Sequence, residues 1–154
     1  MLNLAGEVIG VNTATAPEAQ SIGFALPSNR VRRDLYQVRE LGKIAYPFLG
    51  IEYRIVTEKI QAEENLQVDY GALVEDVVLR SPAVKAGIKK GDILLEFDGK
   101  KITSQDSLGK IIQQYDETSA KPVYNPGDTV TVKVLRGSQE LILNAVLDER
   151  KDNI

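Results

Sequence analysis

The chain has 154 residues, 43% hydrophobic and 27% charged, with a net charge of −3, which suits a globular protein of one ordinary domain plus an appendage, or of two very small domains. Its basic residues are scattered, which favours neither nucleic acid nor an anionic membrane surface, and no apolar run approaches the roughly 18–20 residues of a membrane span. Histidine and cysteine are both absent, which excludes a Ser-His-Asp triad, a Cys-His dyad, His-ligated metals and disulfides within the chain.

Val8–Thr13 alternates as a β-strand with no partner upstream of it, and Ser21–Leu26 reads as a second short strand after a loop over Ala14–Gln20. Pro27-Ser28-Asn29 stops that strand, and Ser28 is a fitting N-cap for a helix whose apolar face is Val31, Leu35, Val38 and Leu41. Gly42 suits the helix C-terminus, while Arg30, Arg32, Arg33 and Arg39 read as a solvated basic face. No basic segment followed by an apolar stretch marks a signal peptide.

From Tyr46 the pattern changes. Ile51, Tyr53 and Ile55 alternate with more polar residues as a half-buried strand, Thr57–Leu66 reads as a short helix or turn, and Gly71–Leu79 reads as a strand. Ser81-Pro82 predicts a short helix with serine at the N-cap and proline at the first turn, closed by Gly87. Turns at Gly91-Asp92 and Asp98-Gly99 flank the strand Ile93–Phe97 and lead to Lys101-Ile102. Thr103 or Ser104 then caps an amphipathic helix reaching Tyr115, with Leu108, Ile111 and Ile112 on its apolar side. A hairpin with strands over Thr129–Leu135 and Glu140–Leu147 turns at Arg136-Gly137-Ser138, and the residues from Glu149 onward are expected to fray. Glu63-Glu64 and Asp148-Glu149 read as solvated charges, so no metal site and no cofactor is expected.

Phe48–Ile51 carries the most chemistry. Gly50 lets the backbone turn its amides outward, and consecutive N–H groups facing one concavity suit a carboxylate. On its own an apolar-Gly-apolar triplet is as readily a simple bend beside the core. The run Arg80–Ile102, RSPAVKAGIKKGDILLEFDGKKI, closely resembles the central signature of PDZ domains attached to bacterial-type proteases. By that resemblance the backbone N–H groups of Leu49, Gly50 and Ile51 hold a peptide C-terminus, and the side chains of Leu49, Ile51 and Ile112 line the pocket for its last residue. Tyr53, Gln105 and Gly109 then face the preceding peptide residues, while Leu108, Ile111 and Tyr115 point to the core. The segment Asp116–Asn125 is longer than the family pattern, and its Tyr124 reads as a surface-loop aromatic.

The first segment, NLAGEVIGVNTATA with SIGFALPSNRV, resembles the end of the trypsin-like domain of HtrA-type (Deg) serine proteases, where it follows the nucleophile motif. Asn12, Thr13 and Ala14 match the strand that lines the substrate cleft there. The implied organisation is 1–28, the last strands of an incomplete protease domain; 29–45, a connecting helix; 46–148, a PDZ domain; and 149–154, a tail. The fold class is therefore α+β. A PDZ-like, partly open β-barrel or sandwich capped by two helices follows a remnant of a trypsin-like β-barrel, two strands and a helix.

The chain reads as a C-terminal fragment without a triad, so not an enzyme by itself. The resemblance implies that it binds hydrophobic C-termini of unfolded or partly degraded proteins in protein quality control. The parent is then a trypsin-like serine endopeptidase, extracytoplasmic and trimeric or larger, whose protease domain is the second partner. Nucleic acid is not among the expected partners. The alternative readings are an active parent endopeptidase as the main function, or a scaffold or oligomerisation element with an unused groove.

Overall fold

A computed structural model describes residues 1–15 and 23–150. The expected loop between Ala14 and Gln20 therefore falls mostly outside the described residues, as do Ser21, Ile22 and the chain beyond Arg150. The chain divides into two compact units, one of residues 1–44 and 115–122, the other of 45–114 and 123–154.

In the first unit β1 (Gly10–Thr15) and β2 (Gly23–Pro27) pair antiparallel, Asn12 opposite Ala25, with an irregularity between Asn12 and Ala14. The opening strand also has a partner before it in sequence. Leu2 bridges Val8, Ile9 donates to the carbonyl of Met1, and the Met1 ammonium donates to Gly10 O at 2.7 Å. The side chain of Asn3 makes this return possible, because its Oδ1 accepts the N–H groups of both Ala5 and Glu7 at 2.9 Å.

Helix α1 (Ser28–Leu41) ends as expected at Gly42, whose φ of 71° is left-handed and whose N–H reaches Val38 O. Its start differs from expectation: Pro27 is the N-cap, Ser28 lies inside the helix, and no side chain caps it. The apolar stripe is also not its buried side. Leu35 (62%), Val38 (47%) and Leu41 (56%) are exposed, whereas Arg33 (4%) and Gln37 (2%) are buried. Periodicity identifies which face of a helix is apolar, but which face is covered depends on what packs there. Arg33 thus leaves the expected solvated basic face, and its guanidinium pairs with Asp34 at 2.9 Å. Arg32 donates to Thr118 O at 3.3 Å, within a segment ordered by Asp116, whose carboxylate accepts from Thr118 and Ser119.

The second unit is built on an open antiparallel sheet of β4 (Ile51–Ile55), β5 (Ala72–Val77), β6 (Ile93–Phe97), β8 (Thr129–Arg136) and β9 (Gln139–Val146), in that order, with β7 (Lys100–Lys101) also paired to β6. It does not close into a barrel. Strand alternation sorts side chains to two faces. The main core gathers Val74, Leu94, Val130, Val132 and Val134 with Ala83 and Ile88 and with Leu108, Ile111 and Ile112. A smaller cluster of Val56, Leu73, Ile93, Leu95 and Leu135 is covered by Ile60, Leu66, Val68 and Tyr70, around α2 (Glu58–Glu63). Each fully buried aliphatic or aromatic side chain contributes roughly 1.5–3 kcal/mol.

Local signals produce the short helices. Thr57 Oγ1 accepts Ile60 N–H at the start of α2, and Ser81 Oγ accepts Val84 N–H at the start of α3 (Pro82–Ala86), which Gly87 closes. Asp92, 1% exposed, binds Arg136 through two bonds of 2.7 and 2.8 Å and accepts Lys89 N–H at 2.8 Å. The Asp92 pair raises the pKa of the arginine further, and Arg136 also donates to Gly87 O, so one side chain ties the α3 terminus to the Gly91-Asp92 turn.

Three expectations change here. The helix expected over Ser104–Tyr115 is α4, Leu108–Ile112 only. Thr103 spends its hydroxyl on Asp106 N–H, closing a turn, and Ser107 is the N-cap, accepting Lys110 N–H at 3.4 Å. Tyr115 is beyond the helix end, since Gln114 O accepts Val123 N–H and Tyr115 bridges Pro122. Tyr124 is not a surface aromatic: it is 4% exposed, packs edge-on against Phe97 with centroids 5.3 Å apart, and donates to Asp98 Oδ2 at 3.3 Å. Finally, Asp148–Glu149 forms β10 against β3 (Pro47–Phe48), and Arg150 N–H reaches Tyr46 O, so the chain stays paired past Leu147 rather than fraying at Glu149.

Candidate functional site

Strand β4 lies at one end of the sheet order, paired with β5 alone, so among the described residues its other edge carries no strand. The loop that enters it is held by its carbonyls. Leu49 O accepts Ala83 N–H at 2.9 Å, while Gly50 O accepts Val78 N–H at 3.0 Å and the Ser81 hydroxyl at 3.3 Å. Leu49 and Gly50 are both buried, yet no described residue accepts their amides. Buried N–H groups are nearly always paired, so two adjacent unpaired ones form a site for an acceptor.

Gly50 is required for this arrangement. Its φ is +88°, in the left-handed region, and a β-carbon there would lie 2.2 Å from Ser81 Cβ. Ser81, 4% exposed, is therefore the residue of the site that sequence reasoning missed, having been read only as a helix cap. The signal was present in the same Ser-Pro-Ala run, because a helix N-cap is also where a neighbouring loop can be anchored.

Of the expected site residues, Leu49 and Ile112 belong to one core cluster, with Ile51 and Tyr53 packed against it. Gly109 joins them through its N–H, which donates to the Tyr53 hydroxyl at 3.0 Å. Gln105 is different: it is exposed, in the turn ahead of α4, and its carbonyl accepts Lys110 Nζ at 3.0 Å. Asn12 and Thr13 are exposed on β1 in the first unit, where Thr13 Oγ1 donates to Phe24 O at 3.3 Å, and Ala14 pairs opposite Phe24 in the same ribbon. On β4 itself, Arg54 is ion-paired with Glu64 at 2.9 Å and with Glu75 of β5; hydrogen bonding to Glu64 and then the charge of Glu75 raise its pKa. No cluster of three metal-ligating side chains occurs among the described residues, and no described helix is long and apolar enough to cross a membrane.

An open strand edge, preceded by a glycine loop with free amides and flanked by a short helix, is the layout of a known fold, and residues 47–147 match the PDZ domain. The chain belongs to the PDZ-domain family. Its PDZ domain comes in a context shared with proteases. The chain is 32% identical over 162 residues to the serine protease Do-like HtrB of Bacillus subtilis, covering 99% of this chain and 34% of that protein. It is 37% identical over 151 residues to the periplasmic pH-dependent serine endoprotease DegQ of Escherichia coli, covering 96% of this chain and 31% of that protein.

Among solved structures, the HtrA-type protease AlgW with decapeptide superposes with a TM-score of 0.74 at 26% identity, over 96% of this chain and 43% of that one. The serine endoprotease from Yersinia pestis gives 0.70 at 25% identity, over 97% and 46%. The chain thus spans about a third of the length of these curated relatives, and its likeness to them runs through the PDZ domain and the segment before it.

Proposed function

We propose that the PDZ domain captures the C-terminus of an extended polypeptide as an added strand on β4. The observation that carries this reading is that the amides of Leu49 and Gly50, two buried residues at the head of an open edge, have no acceptor among the described residues. The peptide carboxylate takes those N–H groups and that of Ile51, and an apolar last side chain enters among Leu49, Ile51 and Ile112. Tyr53 and Gly109 face the residues before it, and Gln105 contacts the peptide from the turn ahead of α4. Main-chain pairing along β4 is indifferent to sequence, which suits a receptor for many unfolded or partly degraded chains.

The relatives support a setting for this capture. The PDZ domain serves an HtrA-type serine endopeptidase of the extracytoplasmic space, delivering substrates to its protease domain or regulating it in protein quality control, within a trimer or larger assembly.

The test is a titration with one apolar-ended peptide as free acid and as C-terminal amide. Hydrogen bonds to a charged acceptor contribute about 1.5–3 kcal/mol each, so the amide should bind at least about 10-fold more weakly. The free acid should bind in the micromolar range, since several peptide residues lose their freedom on binding. Equal affinities would sink the assignment of the carboxylate to this loop.

A further inference from the structure

The direction of the loop amides is set from behind, by what holds the loop carbonyls. In a planar trans peptide the C=O and the N–H that follows it point opposite ways, so a partner that fixes the carbonyl also aims the amide. Leu49 C=O and Gly50 N–H share one such unit, and that carbonyl accepts Ala83 N–H at 2.9 Å. Gly50 C=O and Ile51 N–H share the next, and that carbonyl accepts Val78 N–H at 3.0 Å and the Ser81 hydroxyl at 3.3 Å. Ala83 lies in the first turn of α3, where N–H groups have no partner inside the helix, and it gives its own to the loop. A helix of 5 residues is too short to hold itself in place. Arg136 fixes its far end, donating to Gly87 O at 2.7 Å and to both oxygens of the Asp92 carboxylate at 2.7 and 2.8 Å. Arg136 is the last residue of β8, which pairs with β6, so a continuous set of bonds runs from the middle of the sheet through α3 to the loop.

We propose that Arg136 is a remote positioning residue for carboxylate recognition, acting through Asp92 and α3 to aim the Gly50 and Ile51 amides at one point. The proposal rests on the peptide-binding reading above. The Arg136 side chain bonds at the C-terminal end of α3, whereas the loop is held at its N-terminal end. Hydrogen bonds weaken steeply as they bend, so a small swing of α3 lowers the grip on a carboxylate without dismantling the groove. The edge of β4 is aligned by its pairing with β5, not by α3, so strand addition itself does not depend on Arg136. Lysine at this position would keep a charge beside Asp92. Its single ammonium lacks the planar fork that meets Asp92 twice and Gly87 O as well.

One apolar-ended peptide, as free acid and as C-terminal amide, is titrated into the wild type and into Arg136→Lys, whose folding is checked by its thermal transition. The preference for the free acid should fall about 5-fold in the variant, the equivalent of one ordinary hydrogen bond, while amide binding stays within about 2-fold. A general loosening of the domain would weaken both peptides together and leave their ratio alone. Coupling is reciprocal, so in the wild type the free acid should slow hydrogen exchange at Ile88, whose N–H closes α3 on Ala83 O, about 3-fold more than the amide does. That measurement decides the matter if Arg136→Lys does not fold. A wild-type acid-to-amide ratio in the folded variant, or equal Ile88 exchange with the two peptides at saturation, overturns the positioning role and leaves the peptide-binding reading standing. Equal binding of acid and amide by the wild type overturns that reading and the positioning role with it.

Discussion

Gly50 and Ser81 share one volume: a β-carbon at position 50 would lie 2.2 Å from Ser81 Cβ and 2.6 Å from its Oγ. Ser81 is buried and its hydroxyl is bonded to Gly50 O, so it has no way to swing aside. Gly50→Ala should therefore cost about 2–5 kcal/mol, combining the left-handed backbone with overpacking, and should abolish peptide binding. Denaturant titration of Gly50→Ala, Ser81→Gly and the double variant measures the shared term. A coupling of at least about 1 kcal/mol is expected, and additive effects would mean that the loop yields without Ser81.

Tyr124 makes stability depend on alkaline pH. Burial first, and then the charge and hydrogen bond of Asp98, push its pKa up from 10.0 to about 12. The fold therefore favours the protonated phenol over what the unfolded chain accepts. The stabilisation is complete below pH about 10 and is lost as pH rises through about 12. Two pKa units correspond to up to about 3 kcal/mol over that window. Urea midpoints should fall as pH rises from about 10 towards about 12 in the wild type and stay flatter in Tyr124→Phe, which keeps the edge-on contact with Phe97. Parallel curves for the two proteins would contradict the assignment.

The outward apolar face of α1 predicts a different kind of variant. Leu35, Val38 and Leu41 are exposed, so replacing each with glutamine should change stability by no more than about 0.5 kcal/mol. The triple variant should bind less of a hydrophobic dye and aggregate less, which light scattering reads directly. A large loss of stability would show that the face is covered in solution. In the same unit the amides of Val8–Val11 should exchange faster than those of Ile93–Leu95, which are buried mid-sheet.

Much of the PDZ domain was legible because its signals are local. Ser81-Pro82 with Gly87, the two turns around β6, and the Gly137-Ser138 hairpin each act within a few residues, and each element lies where its capping or turn chemistry placed it. The helix start at Ser107 was not legible, since Thr103, Ser104 and Ser107 are all good caps. The choice fell to Ser107 because Thr103 closes a turn with Asp106 instead. Tyr124 looked like a loop residue because nothing near it in sequence shows that Phe97 and Asp98 stand beside it.

By itself the sequence determined that these 154 residues include no histidine or cysteine, the glycine at position 50 and the run of caps and turns that identifies the PDZ domain, all properties of composition or of near neighbours. Only the tertiary structure decided which of those features meet. It put Ser81 under Gly50, Arg136 on Asp92, β10 beside β3 and the Tyr53 hydroxyl on Gly109. It also left α1 with its apolar side exposed. The reason is common to all of them: contacts between residues tens of positions apart depend on how the chain packs, and no local propensity carries that information.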